Sequence, residues 1–309
     1  MIEKLLRIIK NNFQEFILLS CIIFTSCDTT EPELIDYHNK ILFTSSRSGS
    51  NQLFIVNPEG TNLKQLTSGE FSHSNGNWSP DASKISCNTD ENWDVIKGEP
   101  ITLIDLENNS VQQLTYGRSI SWYPDGSKIF FNNWSGSGFI PIPPKLYCID
   151  VNGKNETLIS SVHVGEVSFS LDGQYIALVS KPDSNTRIVL FNYPQFSDSI
   201  YIGPESSVHP KWSNNGNEIV FSNKGIEAPN HYNIFIMNSD GTNVRQITHN
   251  TSNQHYYYPV WSPNDEKIIF LAFEIDGSTK SYLYMVNKDG SNLHKVLEDE
   301  FVTSCDWAK

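Results

Sequence analysis

The chain has 309 residues, with 35 Asp and Glu against 22 Lys and Arg, for a formal net charge of −13. This acidic balance argues against nucleic-acid binding, which needs clustered Lys and Arg. It argues equally against electrostatic docking on anionic lipid.

The first residues resemble a bacterial lipoprotein signal. A basic start is followed by a short apolar core at Ile17–Phe24, too short to span a bilayer as a mature helix. Small residues then lead to Cys27, as in a lipobox. We predict that residues 1–26 are removed, that Cys27 is acylated, and that residues 27–40 form a polar tether. An uncleaved anchor and an ordinary secretory signal remain as alternatives.

The rest of the chain repeats one short phrase, an aromatic residue followed by Ser and a turn rich in Pro, Asp, Asn and Gly. Its aromatic residues are Trp78, Trp122, Phe169, Trp212, Trp261 and, in a truncated last copy, Trp307. Subtracting these positions gives spacings of 43 to 49 residues. A period in this range indicates a repeat architecture.

Each repeat predicts four short strands. The turn after the aromatic residue leads into an alternating apolar run such as Lys84–Cys87, and a second run follows, such as Gln52–Asn57. Asp240-Gly241 and its equivalents predict a tight hairpin, because Gly adopts positive φ at no steric cost. A short fourth strand such as Gln246–Thr248 ends the unit. Four antiparallel strands per repeat are typical of a propeller blade.

The two ends of the repeat array complement each other. The first repeat has three strands, Ile41–Ser46, Gln52–Asn57 and Leu63–Thr67, but lacks the strand that carries the aromatic residue. The last repeat is followed by one additional strand, Val302–Trp307. Joining them completes a blade and protects edge strands. The sequence therefore predicts an all-β, six-bladed propeller over residues 41–309, closed by its C-terminal strand.

The first repeat, ILFTSSRSGSNQLFIVNPEGTNLKQLT, resembles the TolB-like family of WD40-like (PD40) propellers, and the similarity covers residues 41 to 307. The resemblance implies the propeller fold. It does not imply one function, since propellers host enzymes, scaffolds and ligand binders. TolB itself has an α/β domain before its propeller, whereas only about a dozen residues separate Cys27 from the first strand in this chain.

Three cysteines remain after Cys27, namely Cys87, Cys148 and Cys305, in predicted strands of different repeats. An odd number without close spacing is neither a disulfide framework nor a zinc motif. We expect them to be small buried apolar residues.

No enzyme motif stands out. The sequence lacks a nucleophile elbow, a phosphate-binding glycine loop and the H-E-x-x-H pattern. No residue is assigned a catalytic role and no cofactor is expected. Four histidines do fall shortly before predicted first strands, in what we interpret as inter-blade loops: His73, His163, His209 and His255. The alternative function is therefore a metal-dependent polysaccharide lyase or hydrolase resembling oligogalacturonate lyase, with His209 and His255 as metal ligands.

Aromatic residues concentrate on one face of the predicted propeller. They are Trp93, Trp134 and Phe139 in long loops between second and third strands, and Tyr256, Tyr257 and Tyr258 before a first strand. The opposite face has only short turns. Loops on a rigid scaffold usually carry function, so we predict that this loop-rich face binds a partner. The alternative is that these rings only pack the loops.

The sequence as a whole favours a non-catalytic binding or scaffold module. We expect a monomer attached to the bacterial cell envelope by its lipid, on the periplasmic or outer-membrane side. Its expected partner is a protein or a glycan.

Overall fold

The strands of the molecule form six four-stranded antiparallel sheets arranged as a β-propeller. The computed structural model describes residues 36–92, 94, 97–133, 145–160, 165–180, 186–196, 199–225, 230–250, 253–298 and 301–309. The described residues contain no helix, and hence none that is long and apolar enough to cross a membrane.

The strands of each blade run in order from the channel to the outer edge of the ring. Blade 1 comprises β24 (Val302–Trp307), β1 (Ile41–Ser45), β2 (Gln52–Val56) and β3 (Lys64–Gln65). Blade 2 comprises β4 (His73–Trp78), β5 (Lys84–Thr89), β6 (Pro100–Asp105) and β7 (Ser110–Tyr116). Blade 3 comprises β8 (Arg118–Trp122), β9 (Lys128–Asn133), β10 (Lys145–Asp150) and β11 (Thr157–Ser160).

The second half of the ring repeats this order. Blade 4 comprises β12 (Val167–Phe169), β13 (Tyr175–Ser180), β14 (Arg187–Asn192) and β15 (Ser199–Ile202). Blade 5 comprises β16 (Val208–Trp212), β17 (Glu218–Lys224), β18 (Tyr232–Asn238) and β19 (Arg245–Gln246). Blade 6 comprises β20 (Gln254–Trp261), β21 (Lys267–Glu274), β22 (Ser281–Asn287) and β23 (His294–Lys295).

The ring closes as predicted. Strand β24 pairs antiparallel with β1, so that Ile41 lies opposite Trp307 and Thr44 lies opposite Ser304. The hydroxyls of Thr44 and Ser304 are 2.7 Å apart and share a hydrogen bond. The innermost strand of the first blade thus comes from the far end of the chain.

The aromatic residue of each repeat packs between neighbouring blades. Trp78, Trp261 and Trp307 are almost fully buried. The indole N–H of Trp122 donates to the carbonyl of Asn77 in the preceding blade (3.3 Å), and that of Trp261 donates to the carbonyl of Lys211 (3.1 Å). The repeated aromatic residue therefore joins blades by apolar burial, and in two blades also by a hydrogen bond.

The serine that follows the aromatic residue explains the recurring turn in the repeats. Ser79 Oγ donates to Asp81 Oδ1 (2.6 Å) and accepts a bond from the backbone N–H of Lys84 (2.9 Å). Equivalent bonds form at Ser170, Ser213 and Ser262. One hydroxyl thereby bridges both ends of the turn, as is usual for Ser and Asp in tight turns.

The three cysteines Cys87, Cys148 and Cys305 are buried free thiols, as expected. Burial raises the pKa of Cys87 to about 12, so its thiol stays protonated. These residues act as small core side chains.

Candidate functional site

The innermost strands of all six blades surround a central channel with two cavities. The larger, of about 240 Å³, lies where these strands begin, toward the loop-rich face. The smaller, of about 140 Å³, lies beside the short turns at the opposite end. Asn77, Lys211 and Val260 line both cavities. They therefore mark the boundary between the two parts of the channel.

Two rings of side chains, one residue from each blade in each ring, line this channel. The outer ring holds the residue three positions before each repeat aromatic: Asn75, Ser119, Glu166, His209, Tyr258 and Ser304. The inner ring holds the residue one position before it: Asn77, Ser121, Ser168, Lys211, Val260 and Asp306. The outer ring faces the larger cavity and the inner ring faces the smaller one.

A β-bulge positions the outer ring in four blades. Asn75, Ser119, His209 and Tyr258 have φ between 54° and 56°, in the left-handed region, and the strand pairing shifts register around each of them. A non-glycine residue in this region carries backbone strain. Bulges redirect a side chain and are frequent next to functional sites. Four equivalent bulges aim four different side chains at one cavity.

These bulges also correct a sequence-based interpretation. The spacing before each aromatic residue had indicated four histidines in inter-blade loops, but His73, His209 and His255 lie inside the inner strands β4, β16 and β20. Strand pairing resumes upstream of the bulge, where His73 lies opposite Thr89. The inner strands are therefore longer than the alternating pattern before the aromatic residue suggests.

Three ionisable or aromatic residues lie side by side on the outer ring. Glu166 Oε1 is 3.5 Å from His209 Nε2. The ring of His209 lies 4.0 Å from that of Tyr258, measured between centroids. These residues come from blades 4, 5 and 6, and His209 lies two residues before Lys211 on β16. One side of the channel is therefore polar and ionisable.

The protein surroundings shift the pKa values of this group. Burial raises the pKa of Glu166 to about 7, opposed by the positive charge of Lys211. Burial, together with the positive charge of Lys211, lowers the pKa of His209 to about 3. The side chain of Glu166 stays 31% exposed because it faces the channel, but protein surrounds it on all other sides. At neutral pH His209 is uncharged and Glu166 is partly protonated, so their contact is not a salt bridge.

Arg118 and Lys309 each line one of the channel cavities, and Lys211 is the cationic residue that lines both. Among the described residues, no acidic group lies within ion-pair distance of the Lys211 ammonium and no hydrogen bond to it is found. Asp306, on the same ring, accepts a bond from the backbone N–H of Trp78 (2.7 Å), and burial raises its pKa. Asp306 therefore serves the junction between blades 1 and 2 rather than pairing directly with Lys211.

An aromatic surface continues outward from the channel mouth. The ring of Tyr257 lies 4.7 Å from Tyr232, 5.2 Å from His209 and 5.6 Å from His255. Tyr258 is 39% exposed, and Tyr257 is half-buried. We call Tyr232, His255, Tyr257 and Tyr258 the aromatic surface. It offers flat apolar faces with polar edges beside the cavity, which suits binding of a partner.

The candidate binding residues from the sequence fall into three groups. Trp93, Trp134 and Phe139 lie outside the described residues, as does Cys27. Tyr257 and Tyr258 lie at the channel mouth, and their role stays a prediction. Tyr256 lies in the apolar core, only 5% exposed and 4.8 Å from Phe270 between ring centroids. Its ring is not available at the surface in this structure.

The two histidines of the alternative metal site both lie beside one tyrosine at the channel mouth. His209 and His255 both contact the ring of Tyr257, and the ring of His231 lies 6.1 Å from that of His255. In the part of the chain that the structure describes, no group of three or more His, Cys, Asp or Glu side chains could hold a metal ion. The assignment of these two histidines as ligands stays a prediction.

Glu166, Lys211 and Asp306 were not singled out from the sequence. The signal was nevertheless present, because each occupies a fixed offset from a repeat aromatic residue. Aligning the six repeats on that residue places a charged side chain at −1 in two blades and an ionisable one at −3 in three.

Comparison with known proteins gives the fold. No protein-family model and no curated protein matches the chain. TolB from Acinetobacter baumannii has a TM-score of 0.72 at 18% identity, covering 89% of this chain and 67% of that chain. A TolB candidate from Agrobacterium tumefaciens has a TM-score of 0.66 at 16% identity, covering 87% and 98%. An oligogalacturonate lyase in complex with manganese has a TM-score of 0.50 at 15% identity, covering 84% and 74%. At these identities the similarity concerns the fold alone.

Proposed function

We propose that this propeller is a lipid-anchored, extracytoplasmic binding module that engages a protein partner through its loop-rich face. The observation that carries the proposal is the channel mouth itself, where the outer ring varies from blade to blade and adjoins the aromatic surface. Structural similarity to TolB propellers is consistent with an envelope binding module. No catalytic step is assigned to it.

The partner is expected to use Tyr258 as an anchor. Exposed aromatic side chains at the centre of an interface often contribute about 1–4 kcal/mol to binding, measured as the cost of truncation. Tyr258 combines 39% exposure with a position directly over the cavity. Tyr175 is similarly exposed, at 42%, but follows a short turn on the opposite face. It provides a matched control.

The test is crosslinking and affinity capture of the envelope partner with wild type, Tyr258→Ala and Tyr175→Ala. Tyr258→Ala should retain the fold by circular dichroism and lose at least tenfold in affinity for the captured protein. Tyr175→Ala should bind like wild type. Equal loss in both variants, or loss in neither, would argue against the loop-rich face as the interface.

The anchor is tested separately through Cys27. Cys27→Ser should abolish labelling by a radioactive fatty acid and release the protein from the membrane fraction, or leave the precursor unprocessed. Cys87→Ser is the control, since that thiol is buried in blade 2. Labelling of Cys27→Ser at the wild-type level would contradict lipid attachment at this residue.

A second candidate is an enzyme that cleaves acidic polysaccharides at the same channel mouth. It is favoured by Glu166, whose pKa of about 7 suits a general acid or base, and by structural similarity to the oligogalacturonate lyase. Elemental analysis and incubation with oligogalacturonides, with and without Mn²⁺, would decide it. Stoichiometric metal lost in His209→Ala, with cleavage lost as well, would favour the enzyme over the binding module.

A further inference from the structure

We propose that Lys211 forms a carboxylate-binding site at the junction of the two channel cavities. The inference deepens the proposed function, on which it rests, by naming the chemistry that the channel recognises. It is carried by the position of an unpaired ammonium among hydroxyl and amide groups, inside a cavity with an open mouth.

The ammonium of Lys211 makes no direct ion pair with a described residue. Lys211 is half-buried and lines both cavities, yet no ion-pair partner or hydrogen-bond acceptor for its ammonium is found among the described residues. Removing a charged group from water without a partner is unfavourable. An anion entering the channel would supply the missing partner and form a charge-assisted hydrogen bond.

Hydroxyl and amide groups line the same cavity as the ammonium of Lys211. Ser168 precedes Lys211 around the inner ring, and its hydroxyl accepts a bond from the backbone N–H of Trp212 (3.1 Å). No acceptor for the hydroxyl proton of Ser168 is found in the part of the chain that the structure describes, so this proton is free to be donated. Ser121 lines the smaller cavity, and Asn77 lines both. One ammonium and one or more hydroxyls match the two oxygens of a carboxylate.

The charges around Lys211 disfavour more highly charged ligands. Glu166 and Asp306 both lie close enough to Lys211 for its charge to lower their pKa values. A dianion such as sulfate would be repelled by these two carboxyl groups more strongly than a monocarboxylate, although the ammonium of Lys309 also lines the smaller cavity. The volume of about 240 Å³ is also small for a ligand pocket, so it suits a single acid group rather than a large ligand.

A carboxylate can come from a free small acid or from an acidic group of the partner protein. Propionate probes the first source, with propionamide as its uncharged match and sulfate as the dianion. The tripeptide Gly-Gly-Ala probes the second, with the same peptide amidated at its C-terminus as control. Binding is measured on the whole protein by calorimetry and by NMR titration at pH 6.

Propionate should bind wild type, and Lys211→Met should weaken this binding at least tenfold. Lys64→Met, on the outermost strand of blade 1, should bind like wild type. Propionamide should not bind, and sulfate should bind more weakly than propionate. Equal binding of propionate to Lys211→Met, or of propionamide to wild type, would overturn the proposal. If Lys211→Met fails to fold, Ser168→Ala provides the test, because it removes a hydroxyl that lines the smaller cavity with Lys211.

The outcomes separate this inference from the proposed function. Tyr258→Ala should lose the protein partner but keep propionate. Partner binding that is lost in Tyr258→Ala without any carboxylate binding to wild type would leave the proposed function standing and defeat the inference. Carboxylate binding that depends on Lys211, without any partner at the loop-rich face, would support the inference with a free acid as the source and defeat the proposed interface.

Discussion

On the six innermost strands, two neighbouring positions differ in how much their residue type varies between blades. The aromatic position is Trp in five blades and Phe169 in the other, whereas the inner ring beside it carries Asn, Ser, Lys, Val or Asp. The aromatic side chain packs against the preceding blade, which presents nearly the same surface every time. The inner-ring side chain faces the channel, where no repeated neighbour constrains it. Repetition therefore marks the positions that hold the ring together, and variation marks the positions that a ligand can select.

The largest expected effect comes from Trp307, the aromatic residue of the closing strand. It is 5% exposed and its indole N–H donates to Asn39 Oδ1 (3.0 Å). Trp307→Ala should lower the free energy of unfolding by about 3–5 kcal/mol, the usual cost of such a truncation. Chemical denaturation measures this, with the exposed Val111→Ala as control. Deletion of residues 301–309 should cost more still, and a deletion variant as stable as the full chain would contradict ring closure.

A smaller loss is expected at Gly76, between the two channel positions of blade 2. A Cβ there would lie 2.9 Å from Leu53 Cδ2 and 3.0 Å from Leu42 Cδ2, both fully buried in blade 1. Gly76→Ala should destabilise by about 1–3 kcal/mol through overpacking. Combining it with Leu53→Ala should cost less than the sum of the single changes. Additive losses would show that the two blades do not meet at this point.

The ionisable side chains of the channel should make the stability of the fold depend on pH. Glu166 titrates near 4.5 when unfolded, but its pKa is about 7 in the folded protein. The folded state therefore holds an extra proton between these values, and stability should fall as pH rises from 4.5 to 7. Melting temperatures of wild type and Glu166→Gln at pH 5 and pH 8 test this. A wild type that gains stability relative to Glu166→Gln at pH 8 would reverse the predicted sign.

His209 should show the opposite dependence. Its pKa falls from 6.5 to about 3 on folding, so the unfolded state binds the proton more readily. Stability should therefore fall as pH drops from 6.5 toward 3. Relative to wild type, His209→Gln should become more stable as the solution is acidified over this range. An unchanged difference between the two proteins at pH 7.5 and pH 5 would argue that His209 is accessible to water.

The smallest effect is expected at Ser119 on the outer ring. No hydrogen bond of its hydroxyl to another described residue is found, and it faces the larger cavity. Ser119→Ala should change the free energy of unfolding by no more than about 0.5 kcal/mol. A loss of stability comparable to that of Gly76→Ala would show that channel positions matter as much for stability as inter-blade positions do.

The sequence predicted the architecture well because the aromatic repeat is a packing signal. Trp78 and its equivalents fixed the number of blades, and the missing first strand before Ile41 predicted the pairing with Val302–Trp307. These features depend on local turns and buried apolar surface, which the pattern of residue types expresses directly. The structure places them where the repeat implied.

The site was less predictable because of the bulges. Alternation counted back from Trp261 would place Tyr257 in the core and Tyr256 outside it. The extra residue at Tyr258 inverts this order, so that Tyr256 is buried and Tyr257 faces the channel mouth. A bulge has no strong residue preference outside glycine. The inward position of Lys211 likewise emerges only when the blades are assembled.

Ring closure also fixes the order in which the molecule can be completed. Blade 1 begins with Ile41 and needs Trp307 as its innermost partner, so the first blade of a growing chain is the last to be finished. Contacts this distant in sequence form slowly, because the loop between them must close first. Until β24 has been synthesised, one edge of β1 has no partner strand. The chain cannot reach its closed, six-bladed fold before then. Translation must therefore be complete before the ring can close.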